Sequence, residues 1–286
     1  MSGKWLPHEL LRKIIVTIFF ACFLTLWGSA NARVYRWTDD AGTVHYTDRL
    51  ITGAAQLLIQ PNYRYGIVKK VYDGDTVVME DGEKIRLLGI NTPEIESSRR
   101  MGEPGGEEAK HWLQNKLNGR KVRIVHDVVK RDKYDRLLAH LFLGNGVHVN
   151  VALAKEGLAT VNFHPPNLQY ANDLLAAQRH AKAKKLGLWA QSYYQPTQIN
   201  NLPIDYRGKG WQRFVGRPDS VREGRRYQRL VFNKRFNIRI AKENLSLFPA
   251  LESYLDREIE VRGWPSRRGN VISVLIRHPG SLVELD

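Results

Sequence analysis

The sequence predicts a mixed α+β chain dominated by strands: a five-stranded OB barrel carrying helices, followed by a second, OB-like barrel. Two observations carry this. Between Arg64 and Gln191, three strand-like runs, a helical stretch, two more strand-like runs and further helices follow one another, the order of a five-stranded OB barrel. From Trp211 three strand-like runs, a helix-compatible stretch and two more strand-like runs repeat that order. At 286 residues the chain is long enough for two separate cores.

Taken from the start, residues 1–32 read as an export signal. Lys4, Arg12 and Lys13 precede an apolar run from Ile14 to Trp27, and Ala30-Asn31-Ala32 supplies small residues for cleavage, so that the mature chain begins at Arg33. The run is shorter than the roughly 20 residues needed to span a bilayer. The only cysteine, Cys22, lies inside this segment, so the exported chain has no disulfide chemistry. Residues 33–50 show two β-prone runs around an Asp39-Asp40-Ala41-Gly42 turn, a hairpin signal. They resemble the short domain near the start of many exported bacterial proteins. Tyr35, Trp37, His45 and Tyr46 are expected to pack the hairpin, and residues 51–63 read as a linker.

In the first barrel, residues 64–191, Ile67–Val71, Thr76–Met79 and Lys84–Ile90 are strand-like, the last two joined by a turn at Glu80-Asp81-Gly82. Ala109, Trp112, Leu113 and Leu117 fall at helical spacing, as do Val151, Ala154 and Leu158. Leu168, Ala171, Leu175 and Leu188 recur more loosely, and Lys121–Val128 and Leu137–Leu143 are the remaining strands.

Three motifs in this segment carry chemistry: DGDT at Asp73–Thr76, RLLGINTPE at Arg86–Glu94, and DKYDRLLA at Asp132–Ala139. Together they supply the carboxylates, polar oxygens and arginines that could hold a hard cation beside a phosphate diester. Such a mixture answers a specific difficulty, since the anionic phosphate repels its nucleophile. With a downstream Lys184–Trp189 stretch, KKLGLW, these motifs make the segment resemble the staphylococcal nuclease, or thermonuclease, family over roughly 125 residues.

The resemblance implies a calcium-dependent nuclease that cuts DNA and RNA and leaves 3′-phosphate ends. Within it Asp75 matches the metal-binding carboxylate, Thr92 the residue offering its backbone carbonyl, and Asp73 a carboxylate close behind the ion. Oxygen-only ligands of this kind suit Ca²⁺. Asn91 departs from the family pattern, which has aspartate there as a second anionic ligand; an amide oxygen still coordinates Ca²⁺, but more weakly. Glu94 matches the general base, and Arg86 and Arg136 the two arginines that grip the phosphate. Lys133 and Tyr134 match positions near the nucleotide phosphate, and Phe163 falls close to a base-stacking tyrosine but fits the core equally well. His164, before Pro165-Pro166, reads as structural.

Residues 192–206 form a second linker, rich in Pro and Asn, and residues 207–286 the second barrel. Its strand-like runs are Trp211–Val215, Tyr227–Phe232, Phe236/Ile238/Ile240, Ile259–Gly263 and Ile272/Val274/Ile276, with a helix-compatible stretch at Leu245–Leu255. From Asp205 onward there are 17 Lys plus Arg against 10 Asp plus Glu. With Tyr227, Phe236 and Trp264 this composition fits either a single-strand nucleic-acid groove or a solvated surface over an aromatic core. The whole chain carries +15 and a pI near 9.9, favouring nucleic acid or anionic surfaces as partners.

The expectation is an exported, periplasmic or secreted, monomeric nuclease that uses Ca²⁺ and takes DNA and/or RNA as substrate. Two readings stand against it. A non-catalytic nucleic-acid-binding protein, its metal site weakened by Asn91, would bind in a salt-dependent way without cutting. An envelope protein meeting anionic lipid or polymer would be indifferent to Glu94.

Overall fold

The computed structural model describes residues 34–57, 62–97, 101–208 and 210–285, and divides into two compact units at Pro61/Asn62. The export signal read from residues 1–32 lies outside the described residues. In the first unit, β1 (Val34–Thr38) and β2 (Val44–Thr47) form the expected antiparallel hairpin, with Trp37 stacked on its cross-strand partner His45 at 4.8 Å. The Asp39 carboxylate closes the turn by accepting from the Ala41 and Thr43 amides at 3.0 and 2.8 Å. Part of the stretch read as a linker is a third strand, β3 (Ala55–Leu57), antiparallel to β1. Three residues without strong alternation give no strand signal of their own.

The second unit opens with β4 (Tyr63–Val71), β5 (Thr76–Met79), β6 (Lys84–Leu87) and the short β7 (Ile90–Asn91). Helix α1 (Gly106–Leu117) follows, then β8 (Lys121–Val125), β9 (Leu137–Leu143), α2 (Val149–Lys155), β10 (Thr160–Val161) and α3 (Ala171–Ala183). A closed barrel runs β4-β5-β6-β9-β8, with β6 and β9 parallel and the other pairs antiparallel. Inward side chains such as Val68, Met79, Ile85, Leu87, Ile124 and Leu141 fill it, and Leu113 and Leu117 of α1 join the same core. Each such burial contributes about 1.5–3 kcal/mol.

The run expected to be one strand, Lys84–Ile90, is broken after Leu87. Gly89 turns the chain at φ +76, and a Cβ there would lie 2.4 Å from Leu174 Cδ1 of α3. The turn sends Ile90–Asn91 away to pair with β10, which places Asn91 outside the barrel wall.

The second barrel contains β11 (Thr197–Gln198), β12 (Gln212–Gly216), β13 (Ser220–Glu223), β14 (Tyr227–Asn233), β15 (Phe236–Ala241), β16 (Ile259–Gly263), β17 (Pro265–Arg268), β18 (Val271–Ile276) and β19 (Leu282–Glu284). Its two sheets run β11-β12-β16-β19 and β13-β14-β15-β18-β17. The successive pairs β12/β13 and β16/β17 pass from one sheet to the other, and β15 and β18 are parallel, giving the same OB order as the first barrel. Instead of one helix over Leu245–Leu255 there are two 3₁₀ turns, Lys242–Leu247 and Leu251–Tyr254. Pro249 between them has no N–H to continue a helix and disfavours helical backbone at Phe248. Phe236, offered as a groove aromatic, is fully buried in this core; Trp264 is on the surface.

The two barrels are joined by a buried polar cluster. Glu260 accepts from Arg213 Nε at 2.7 Å, Arg262 Nε at 2.6 Å and Lys182 Nζ of α3 at 2.7 Å. Both arginines lie over the Trp189 ring, at 5.3 and 5.6 Å, and Trp189 packs with Tyr194 and Trp211. Residues 192–206, read as a linker, are built into this junction: Tyr194 is buried, donates to the Pro104 carbonyl at 2.7 Å, and offers its own carbonyl to Arg213.

Candidate active site

The three motifs converge on one cleft of about 600 Å³, lined by Asp73, Asp75, Arg86, Asn91, Thr92, Glu94, Lys133, Tyr134 and Arg136 among others. The turn before β5 presents the two aspartates, β6 carries Arg86, the turn after Gly89 delivers Asn91 to Glu94, and the loop before β9 carries Lys133 to Arg136. Gly74 is required inside the first turn, because a Cβ there would lie 2.6 Å from Thr92 Oγ1 and 2.8 Å from Ala109 Cβ of α1.

Asp75, nearly buried, organises one wall. Its Oδ2 accepts from the Thr92 amide at 3.0 Å and from Arg86 Nη2 at 2.9 Å, and its Oδ1 from Thr76 Oγ1 at 3.2 Å. Arg86 also donates to Asn91 Oδ1 at 3.1 Å and to the Leu87 carbonyl. With its oxygen turned to Arg86, the Asn91 amide donates through Nδ2 to the Thr92 carbonyl at 2.7 Å. The arginine fixes this orientation, since the flipped amide would set donor against donor. Asp73 lies close behind: burial and the neighbouring Asp75 charge push its carboxyl up to about 6, against a partial counter-effect from Arg86 and from the Asp75 amide, which donates at 3.1 Å.

Arg136 is held by Asp132, whose Oδ2 accepts from its Nε and Nη2, both at 2.8 Å, while Oδ1 accepts from the Tyr134 and Arg136 amides. Burial works against the Asp132 charge, but these bonds hold its carboxyl below the usual range. The loop is thus folded around one carboxylate, with Asp135 in the left-handed region at φ +62. Tyr134 stands 68% exposed at the mouth with Lys133 Nζ over its ring at 4.8 Å, so both can reach an arriving chain. Glu94 is exposed and its backbone is pinned in both directions by Glu103: its amide donates to Glu103 Oε2 at 3.1 Å, and its carbonyl accepts from the Glu103 amide at 2.8 Å.

The family model described as staphylococcal nuclease homologue matches residues 84–191, and one described as a domain of unknown function (DUF4124) matches residues 19–64. The thermonuclease of Staphylococcus intermedius is 40% identical over 126 residues, which is 43% of this chain and 74% of that protein. The chain belongs to the staphylococcal nuclease family. It is an enzyme, a hydrolase acting on nucleic acids. Endonuclease YncB of Bacillus subtilis is 35% identical over 130 residues, 44% of this chain and 61% of that protein. An uncharacterized protein of Methanocaldococcus jannaschii is 34% identical over 210 residues, covering 63% of this chain and 96% of its own length.

Not every residue expected at the site of this nuclease is there. Phe163 does not face the cleft: it is 4% exposed, packs in the first barrel's core, and meets His278 edge-on at 4.6 Å. Its neighbours Asn162 and His164 line the cleft instead. Along an extended segment alternate residues face opposite ways, so a one-residue difference in alignment exchanges core for cleft. His164, read as structural, is on the wall, and burial, aided by the Arg277 and Arg86 charges, lowers it to about 4, so it is neutral at pH 7. The sequence also gave no sign of Arg277, which reaches the cleft from the second barrel, nor of Asp132 as the holder of Arg136.

Proposed function

We propose that this nuclease is an exported Ca²⁺-dependent endonuclease that hydrolyses phosphodiester bonds of DNA and/or RNA, with Glu94, Arg86 and Arg136 as its catalytic residues. The observation that carries the reading is the presence of all three, with four candidate metal-ligating residues, in one cleft. Glu94 takes a proton from the water that attacks phosphorus in line with the departing 5′ oxygen, and the bond to that oxygen breaks to leave a 3′-phosphate. A positioned base contributes about 10² to 10⁴ in rate. Arg86 and Arg136, each held rigid by an aspartate, present planar donors to the phosphate oxygens as charge builds on them. Lys133 and Tyr134 steady the neighbouring nucleotide.

Asp73, Asp75, the Asn91 amide oxygen and the Thr92 carbonyl would hold Ca²⁺. The donors are all hard oxygens, and the Asp73 carboxyl, pushed up by burial and by the neighbouring Asp75 charge, is a group whose charged form a cation would favour. When bound, the ion supplies positive charge against the phosphate and acidifies water. Among the described residues no group of three or more His, Cys, Asp or Glu is clustered for a metal. Export, read from residues 1–32, puts the enzyme where Ca²⁺ is plentiful.

One observation favours the second reading, a binding protein: the Asn91 amide occupies the Thr92 carbonyl that a cation would need. Cleavage of single-stranded DNA and of RNA, measured with Ca²⁺, with Mg²⁺ and with chelator, separates the two. Cutting that requires Ca²⁺ is the expected outcome. Salt-sensitive binding without cutting under either metal would replace the enzyme reading with the binding one.

A further inference from the structure

Resting on that nuclease reading, we propose that the outward face of the five-stranded sheet of the second barrel binds the single-stranded nucleic acid flanking the scissile phosphate, with Arg277 passing it into the cleft. Inward positions of this sheet, Leu230, Ile238, Ile272, Val274 and Ile276, are buried, so the alternate positions face out. Pairing across β13, β14 and β15 puts Arg222 opposite Arg229 and Arg229 opposite Arg239, three arginines on one rung. The adjacent rung is Ser220, Val231, Asn237, Ser273 and Ser266, hydrogen-bonding side chains apart from the buried Val231. The one carboxylate on these five strands, Glu223 at the end of β13, is paired with Gln228 on the opposite parity to the arginines and is bridged to Lys242.

The arginine rung ends on β18 at Leu275, and the next outward rung, Tyr227 and Ala241, runs toward Arg277. β18 ends at Ile276, and the next residue, Arg277, lines the same cleft as Arg86, Arg136 and Glu94. Partly desolvated there, it takes part in no ion pair among the described residues. Tyr227, the first residue of β14, lies under the Arg239 guanidinium at 5.5 Å, offering a ring on which a base can stack beside a cation. A row of arginines at strand spacing, an aromatic ring and an adjoining polar rung fit a flexible phosphate backbone with unpaired bases. Tyr227 is in register with Ala241, which follows Ile240 as Arg277 follows its partner Ile276, so a strand bound on this face would be led toward the reacting groups. The first barrel alone would then hold only the few nucleotides around the cut.

The test compares the whole protein with its Arg229→Gln/Arg239→Gln and Arg277→Gln variants. Binding of a labelled single strand of about 20 nucleotides is followed by anisotropy in chelator, across salt concentration, and cleavage of that strand and of a trinucleotide is followed in Ca²⁺. The double variant is expected to bind the long strand at least about tenfold more weakly and to lower the slope of log K against log salt by about 1.4, since each single-strand phosphate contact contributes about 0.7. Its cleavage loss on the long strand should exceed that on the trinucleotide by about tenfold. Arg229→Lys/Arg239→Lys should recover the salt slope, which a merely misfolded barrel would not, and thermal unfolding reports on folding directly. If the wild type binds and the double variant loses binding while neither cuts, the sheet face is upheld and the catalytic reading falls. If the wild type cuts and the folded double variant binds and cuts the long strand as well as wild type, the proposal is overturned.

Discussion

In the proposed metal site Asn91 stands where one charge would set how strongly the cleft attracts a cation. Its oxygen answers Arg86 and its nitrogen covers the Thr92 carbonyl, so two prospective ligands are engaged with the protein itself. Asn91→Asp removes the donor from Thr92 and adds a carboxylate beside Asp73 and Asp75. It should tighten Ca²⁺ at least about tenfold, because a charged ligand adds well over 1.4 kcal/mol in such a site. Titration calorimetry in matched buffers checks this; unchanged affinity would place the ion elsewhere. At this scale the site was legible wherever residue types occur in a fixed motif: Asp73, Asp75, Arg86, Glu94 and Arg136 all reach the cleft. Phe163 takes the core side of its extended segment, the other of the two places open to it, while Asn162 and His164 take the cleft side, and Asp132 was missed because its role is to hold another side chain.

At the level of elements, β9 and α2 bring together two buried imidazoles. His140 Nδ1 and His148 Nε2 share one hydrogen bond at 3.1 Å, framed by Phe142 and Tyr170. Burial lowers His140 to about 4 and His148 to about 3, the latter also through the positive charges of His140 and Arg123. In the unfolded chain both take up protons near pH 6.5, so stability is full above that value and is lost as pH falls toward about 4, by about 3 kcal/mol for His140 alone. Urea midpoints should fall over this range, and the fall should be shallower in His148→Gln. An equal slope in the two proteins would remove the pair from the account. Short β-prone runs that end up largely buried, β5, β9 and β16, were legible to the residue. The break after Leu87 was not, because what demands it is Leu174, nearly ninety positions away in the chain.

Across the whole molecule, the junction between barrels rests on Glu260. Burial pushes its carboxyl up, yet Arg213, Arg262 and Lys182 together hold it well below the usual range. Glu260→Gln leaves the arginines buried without their counter-charge, which costs about 3–5 kcal/mol when one partner of a buried pair is lost. Thermal unfolding should show a Tm lowered by several degrees; an unaltered Tm would mean that the aromatic packing around Trp189 alone joins the barrels. The order of elements predicted both barrels, since OB order is a sequential property. Their junction was unreadable, because its members come from several segments up to ninety residues apart and one of them looked like a linker.

Glu94 is proposed to perform chemistry in a cleft whose arginines hold the phosphate. That role is tested most directly by comparing Glu94→Gln with wild type in single-turnover cleavage of one labelled oligonucleotide in Ca²⁺, with binding of the same oligonucleotide measured in chelator. Cleavage should fall by about 10² to 10⁴ while binding stays within about threefold, since the carboxylate is needed only as the proton moves. Cleavage undiminished in the variant would contradict the account and move the catalytic base to another residue of the cleft.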